Sequence, residues 1–85
     1  MKRSATEVVE ERAVIVDGRI DLAATLHALE RASDFYRREL SAMESFAQTW
    51  KAPMDDVSDR HDEYRERADE LATAIDHVRS VIARQ

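Results

Sequence analysis

Two long runs of core-type residues, each spaced by four and then three positions, restrict the fold of this chain more than any other feature. Apolar or aromatic residues fill eight of nine positions in the first run and seven of eight in the second. This spacing places one stripe of side chains along a left-handed helix–helix seam, whereas a β-strand would alternate by two. The first run is Leu22, Leu26, Leu29, Ser33, Tyr36, Leu40, Met43, Ala47 and Trp50, and the second is Val57, His61, Tyr64, Ala68, Leu71, Ile75, Val78 and Ile82.

The only proline of the chain, Pro53, separates the two runs. Proline lacks the backbone N–H that a helix interior needs, but it is tolerated in the first turn of a new helix. Asp21 precedes the first run and has the side chain of an N-cap. We therefore predict a helix over 21–51, a turn at 51–53 and a helix over 54–84. So short a connection brings the second helix back antiparallel to the first.

The turn also sets which residues face each other across the hairpin. A tight turn predicts four facing pairs: Trp50 with Val57, Met43 with Tyr64, Tyr36 with Leu71, and Leu29 with Val78. Trp50, the only tryptophan, is the last core position before the break. We expect it to fill the turn end of the hairpin; an exposed tryptophan there would instead be a binding anchor.

The segment 1–20 precedes the hairpin and is ambiguous. Ser4 and Glu7 have the spacing of a capping box, which predicts a short helix that Gly18 could end. The β-branched residues just before Gly18 favour a strand instead, and the Asp-Gly pair is a turn signal. A local hairpin would leave only 19–20 for its second strand, which we judge too short. We favour the helix, with a strand pairing to another chain as the alternative.

A two-helix hairpin buries only one stripe per helix, and at its open end the apolar surface is broad. A third layer is therefore expected, from the same chain or across a dimer. The predicted fold is all-α: an antiparallel two-helix hairpin over 21–85 that completes a four-helix bundle by homodimerisation, preceded by a short helix or strand. The residues that could supply a third layer are Val8, Val9, Val14, Ile15 and Val16.

Acidic residues are concentrated in one part of the chain. Residues 55–70 hold eight acids and three bases, and this surplus equals the whole net charge of −5. Such a run usually forms a solvated face, but it could also dock a basic protein partner. The net charge argues against direct binding to nucleic acid or to an anionic membrane. The candidate acidic face consists of Asp55, Asp56, Asp59, Asp62, Glu63, Glu66, Asp69 and Glu70.

Residues with metal-binding or catalytic chemistry are sparse. The histidines at 27, 61 and 77 have neither the His-x-x-x-His nor the Glu-x-x-His spacing of helical metal ligands, although the carboxylates Asp59, Asp62, Glu63 and Glu66 leave open a di-metal site assembled by dimerisation. One glycine cannot build a glycine-rich phosphate loop, and without cysteine there is no thiolate chemistry. We therefore predict no enzymatic activity, no cofactor and no metal.

Two histidines are expected to have particular neighbours. His61 stands in the second apolar run, so we predict that it is partly buried beside Thr49 or Glu44. A pH-sensitive switch is the alternative for this residue. His77 is predicted to form a surface ion pair with Glu30.

Two antiparallel helices that meet at a tryptophan resemble the Trp-x-Gly hairpins, small dimeric substrates of bacterial type VII secretion. The matching stretch here is 50–52, with Ala52 in place of the glycine. The family's Tyr-x-x-x-Asp/Glu export signal is absent, because Ala68 stands four residues after Tyr64. The resemblance implies a secreted dimeric hairpin.

We expect a small cytoplasmic adaptor or assembly subunit that acts through helix–helix contacts as a homodimer. No apolar signal segment follows the N-terminal methionine, and no run of about 20 apolar residues could span a bilayer. One alternative is a secreted hairpin exported by a route that needs no signal peptide. Another is an acidic inhibitor or antitoxin-like protein that binds a basic site on its target.

Overall fold

Two long helices and a short one dominate the computed structural model. It describes the backbone of 3–50 and 55–85 and the side chains of 3–49 and 59–85. The two long helices pack against each other, which confirms an all-α fold, and the principal dimensions are 50 × 22 × 21 Å. The predicted turn at 51–53 lies outside the described residues. The elements are α1 (Ala5–Arg12), β1 (Ile15–Val16), β2 (Arg19–Ile20), α2 (Leu22–Trp50) and α3 (Asp55–Arg84).

Helix α1 begins at the predicted cap. The Ser4 Oγ accepts a hydrogen bond from the Glu7 backbone N–H at 3.2 Å, and its hydroxyl donates to the Glu7 carboxylate at 3.2 Å. The helix ends at Arg12, with Ala13 as an extended C-cap. The prediction that Gly18 ends this helix is wrong, because Gly18 belongs to the turn that follows.

A β-hairpin connects α1 to α2, so our argument that 19–20 is too short for a strand is also wrong. The strands 15–16 and 19–20 pair antiparallel. The two residues between them, Asp17 and Gly18, have φ of 53° and 77°. Positive φ at both central positions is what a type I′ turn requires, and this turn matches the twist of the flanking strands.

Hydrogen bonds formed by residues outside the two strands fix the position of this hairpin against α2. The Asp21 backbone N–H donates to the Val14 carbonyl at 2.8 Å, which extends the pairing by one step. The Val14 N–H donates in turn to the Oγ1 of Thr25, a fully buried residue of α2, at 3.0 Å. The Asp21 carboxylate accepts from the Ala24 N–H at 2.9 Å, confirming the predicted N-cap of α2.

The core lies at the open end of the helical hairpin, under α1. Val8 of α1 is 1% exposed, and Val9 packs against the same cluster. The third layer is therefore supplied within one chain by α1. Ile15 and Val16 do not join it, because the hairpin that carries them turns outward and leaves them 59% and 49% exposed. The buried apolar cluster consists of Val8, Leu29, Leu71, Ala74, Ile75 and Val78.

Polar and aromatic contacts also join α2 and α3. The rings of Tyr36 and Tyr64 meet edge to face, with centroids 5.2 Å apart. His61 is partly buried, and its Nε2 lies 3.3 Å from a Glu44 carboxylate oxygen, as predicted.

The predicted pair between His77 and Glu30 is wrong. Arg79 approaches Glu30 instead, with 3.6 Å between the guanidinium and carboxylate atoms, while His77 is exposed. Two positions along a helix turn a side chain by about 200°, so only one of these two residues can face α2.

Candidate functional surfaces

The predicted core stripe is not buried uniformly. Its fully buried members cluster near α1, and its members towards the turn are half-buried. The side chains of Trp50 and Val57 lie outside the described set. Ile82, in the last turns of α3, is 36% exposed. The buried members are Leu29, Ser33, Leu71, Ile75 and Val78, and the half-buried ones include Leu22, Leu26, Tyr36, Leu40, Met43 and Tyr64.

The prediction that Glu70 belongs to the candidate acidic face is wrong. Its side chain has no exposed area, because it faces α1 rather than solvent. The side chains of Asp55 and Asp56 lie outside the described residues. Glu66 is half-buried, and the exposed members are Asp59, Asp62, Glu63 and Asp69.

Glu70 instead forms a buried ionic cluster that ties the start of α1 to α3. The Arg3 backbone N–H donates to one carboxylate oxygen at 3.0 Å, and the Arg3 Nε donates to the other at 3.1 Å. Arg67 donates to the same carboxylate at 3.3 Å. Arg3 also pairs with Glu11 of α1. Both oxygens of a buried carboxylate are therefore satisfied by charged or backbone donors, as a buried charge requires.

The pKa of Glu70 reflects opposing effects. Burial raises it, since a charged carboxylate is poorly solvated inside the protein. The hydrogen bonds from Arg3, its positive charge and the hydrogen bond from Arg67 outweigh this and hold the pKa below its ordinary value of 4.5.

Lowering the pH should therefore weaken the fold in a defined window. A carboxyl group whose pKa is depressed by folding stabilises the protein above its unfolded pKa, and this contribution is lost as the pH falls through the folded pKa. We expect the free energy of unfolding to fall as the pH drops below about 4.5, with a shallower fall in Glu70→Gln. Urea denaturation from neutral pH down to about pH 3 measures both slopes. The exposed control Glu63→Gln should keep the wild-type slope; identical slopes for Glu70→Gln and wild type would contradict this role.

No arrangement of described side chains suggests metal chemistry. Within 3–49 and 59–85, no group of three or more His, Asp or Glu side chains is placed to hold a metal ion. Ser33 is buried at 4% exposure, in the seam between α2 and α3. Beside it runs a groove of about 360 Å³ between these helices, with charged residues of both signs along its walls.

A second groove, which we call the arginine groove, lies between the end of α1 and the outer side of α2. Its volume is about 490 Å³. Two alanines, three arginines and one aspartate line it. Its lining consists of Arg12, Ala28, Arg31, Ala32, Asp34 and Arg38.

Among the described residues, and apart from Ile82 near the end of α3, large apolar side chains are exposed on two elements. One is the β-hairpin, where Ile15, Val16 and Ile20 are 48–59% exposed. The other is α2, where Phe35 and Phe46 are 47% and 50% exposed.

The two phenylalanines belong to a stripe of α2 that our reading of the sequence missed. This outer stripe repeats the spacing of four and three, but on a side of α2 that does not face α3. We identified only the leucine-rich stripe from the sequence, because it holds more large apolar residues. The same spacing rule also identifies the outer stripe. The outer stripe consists of Ala28, Ala32, Phe35, Glu39, Ala42, Phe46 and Thr49.

Comparison with known proteins adds no relative. Family models, curated proteins and solved structures all give no match to this chain. In the described part of the chain, none of the helices has the length and apolar character that a membrane crossing requires.

Proposed function

We propose that this protein is a small non-enzymatic protein–protein interaction module, an adaptor or assembly subunit. In this proposal two copies complete a four-helix bundle through helix–helix contacts. The observation that carries the proposal is the exposure of Phe35 and Phe46 on α2. Eleven residues are about three helical turns, so both rings lie on one side of α2, about 16 Å apart.

Burying this side of α2 is energetically favourable. Apolar surface removed from water contributes roughly 25 cal/mol per Å², and aromatic side chains dominate the energetics of many interfaces. The core at the open end is already covered by α1, so association is not needed to complete it. The outer stripe instead exposes apolar side chains further along α2, at Phe35, Ala42 and Phe46. A helical partner fits such a surface, because helices pack along stripes of this spacing.

Light scattering on the purified protein tests the proposal. We expect a mass of about twice the 9.8 kDa of one chain. Phe35→Asp should return the mass to that of one chain, since a charge would then be buried in the interface. Ile20→Asp is the matched control, because Ile20 is 48% exposed but lies on the β-hairpin. A wild-type mass of one chain at every concentration would contradict the proposed self-association.

A further inference from the structure

We propose that the groove beside Ser33, which we call the serine groove, binds a small zwitterion of the α-amino-acid class. Its lining comes from α2 and α3, apart from the outer stripe, so this inference does not depend on self-association. Ligand pockets usually measure about 300 to 1,000 Å³, and the volume of about 360 Å³ suits a molecule of few atoms. The lining includes Ser33, Asp34 and Arg37 of α2 and Ala72, Ile75 and Asp76 of α3.

The hydroxyl of Ser33 is the observation that points to a ligand. Ser33 is only 4% exposed, yet within 3–49 and 59–85 its hydroxyl has no hydrogen-bond partner. Thr73 of α3, by contrast, donates to the Asp69 carbonyl one turn earlier, at 3.1 Å. In the same ranges no fully enclosed side-chain oxygen or nitrogen lacks a partner, so the Ser33 oxygen keeps some access to the groove. A bound molecule could supply the missing hydrogen bond, whose absence costs free energy.

The charged side chains on the two walls indicate the chemistry of the ligand. Glu30 and Arg79 also line the groove, and they pair with each other at 3.6 Å. Among the described residues, the side chains of Asp34, Arg37 and Asp76 form no ion pair and no hydrogen bond. A molecule in the groove therefore meets unpaired carboxylates from both helices and one unpaired guanidinium group. It needs a positive and a negative group to match them.

An α-amino acid carries its two charges at a suitable separation. Asp34 and Arg37 are three residues apart on α2, which is about 4.5 Å along the helix axis. The ammonium and carboxylate of an amino acid are attached to one carbon atom, so they are similarly close. The carboxylate would bind the Arg37 guanidinium, whose planar donors suit a bidentate pair. The ammonium would donate to the Ser33 hydroxyl oxygen and to a carboxylate of the groove, Asp34 or Asp76.

Other ligands fit the serine groove less well. A simple anion would face the carboxylates of Asp34 and Asp76. For a metal ion, no group of three His, Asp or Glu side chains is suitably placed in the described part of the chain. A docked helix would have to pair the five charged side chains along the walls, since unpaired buried charges are costly. Ala72 and Ile75 add a small apolar surface that can accept the side chain of an amino acid.

Titration with L-alanine, followed by the amide shifts in NMR spectra, tests this site. We expect saturable shifts at Ser33, Arg37 and Asp76, with a dissociation constant of about 1 mM or lower. N-acetyl-L-alanine lacks the ammonium group and ethylamine lacks the carboxylate, so each should bind about tenfold more weakly or worse. Equal binding of either compound would overturn the assignment to a zwitterion, and the absence of saturable shifts with L-alanine would overturn the site.

Three variants test the residues of the groove. Arg37→Gln should raise the dissociation constant for L-alanine about tenfold or more, because it removes the charge that binds the carboxylate. Ser33→Ala should raise it about fivefold, which corresponds to one hydrogen bond, and alanine keeps the small volume that the seam requires. Arg38→Gln is the matched control, because Arg38 is the next residue of α2 but lines the arginine groove. Circular dichroism verifies that each variant folds. An unchanged dissociation constant in Ser33→Ala, or an equal loss in Arg38→Gln, would overturn the proposed site.

Discussion

Glu70→Gln is expected to lower the free energy of unfolding by about 2–3 kcal/mol at neutral pH. The substitution removes the charge that faces Arg3 and Arg67, so both guanidinium groups lose their shared partner. Breaking a fully buried ion pair typically costs more, about 3–5 kcal/mol. Here the side chains of Arg3 and Arg67 are 30% and 37% exposed, so water can hydrate their charges once the carboxylate is removed, which reduces the loss.

Urea denaturation measures this effect, and Glu63→Gln is its matched control. Glu63 carries the same side chain on the same helix but is exposed, so its substitution should leave the unfolding midpoint unchanged. Amide hydrogen exchange provides a second readout. Exchange in α1 should accelerate in Glu70→Gln more than exchange in the centre of α3, since the cluster tethers α1. Equal midpoints for the two variants would show that the cluster does not stabilise the fold.

Leu29→Ala is expected to cost about 2–5 kcal/mol of unfolding free energy. Leu29 is completely buried where α1, α2 and α3 meet, so truncation leaves a cavity that three elements would have to close. Leu40→Ala provides the comparison, since Leu40 is half-buried on the same helix towards the turn. Thermal or urea unfolding of both variants measures the difference. A larger loss for Leu40→Ala would mean that the core does not lie beneath α1.

The two long helices could be predicted because their signal is local and repeated. The 4-3 spacing persists through each run, and the side chains of Ser4 and Asp21 define the starts of α1 and α2 by bonds within three residues. Patterns of this kind depend on near neighbours along the chain, which the sequence shows directly.

The β-hairpin could not be predicted by the same reasoning. Two-residue strands have little stability of their own, and strand length alone argued against them. Their stability comes from bonds to residues beyond the strands, above all from Val14 to Thr25 eleven residues away. The strand propensity of the residues in the hairpin carries no information about this hydrogen bond.

Glu70 shows the same limitation at the candidate surfaces. It ends the run 55–70, in which eight acids outnumber three bases, and this surplus indicated a solvated face. Its burial depends on Arg3, which is 67 residues away in the chain and reaches it only after α1 has docked. The arginine groove likewise requires Arg12 of α1 to lie beside Ala28 of α2. Both features follow from the packing of α1, whose position the sequence pattern left open.

Small-angle X-ray scattering tests the central claim most directly, because it gives mass and length together. One chain is 50 Å long. Side-by-side pairing through the outer stripe predicts twice the mass of one chain with almost the same maximum dimension. The mass of a single chain would contradict self-association. Twice the mass with nearly twice the length would mean that the copies join end to end, and the outer stripe of α2 would not be the interface.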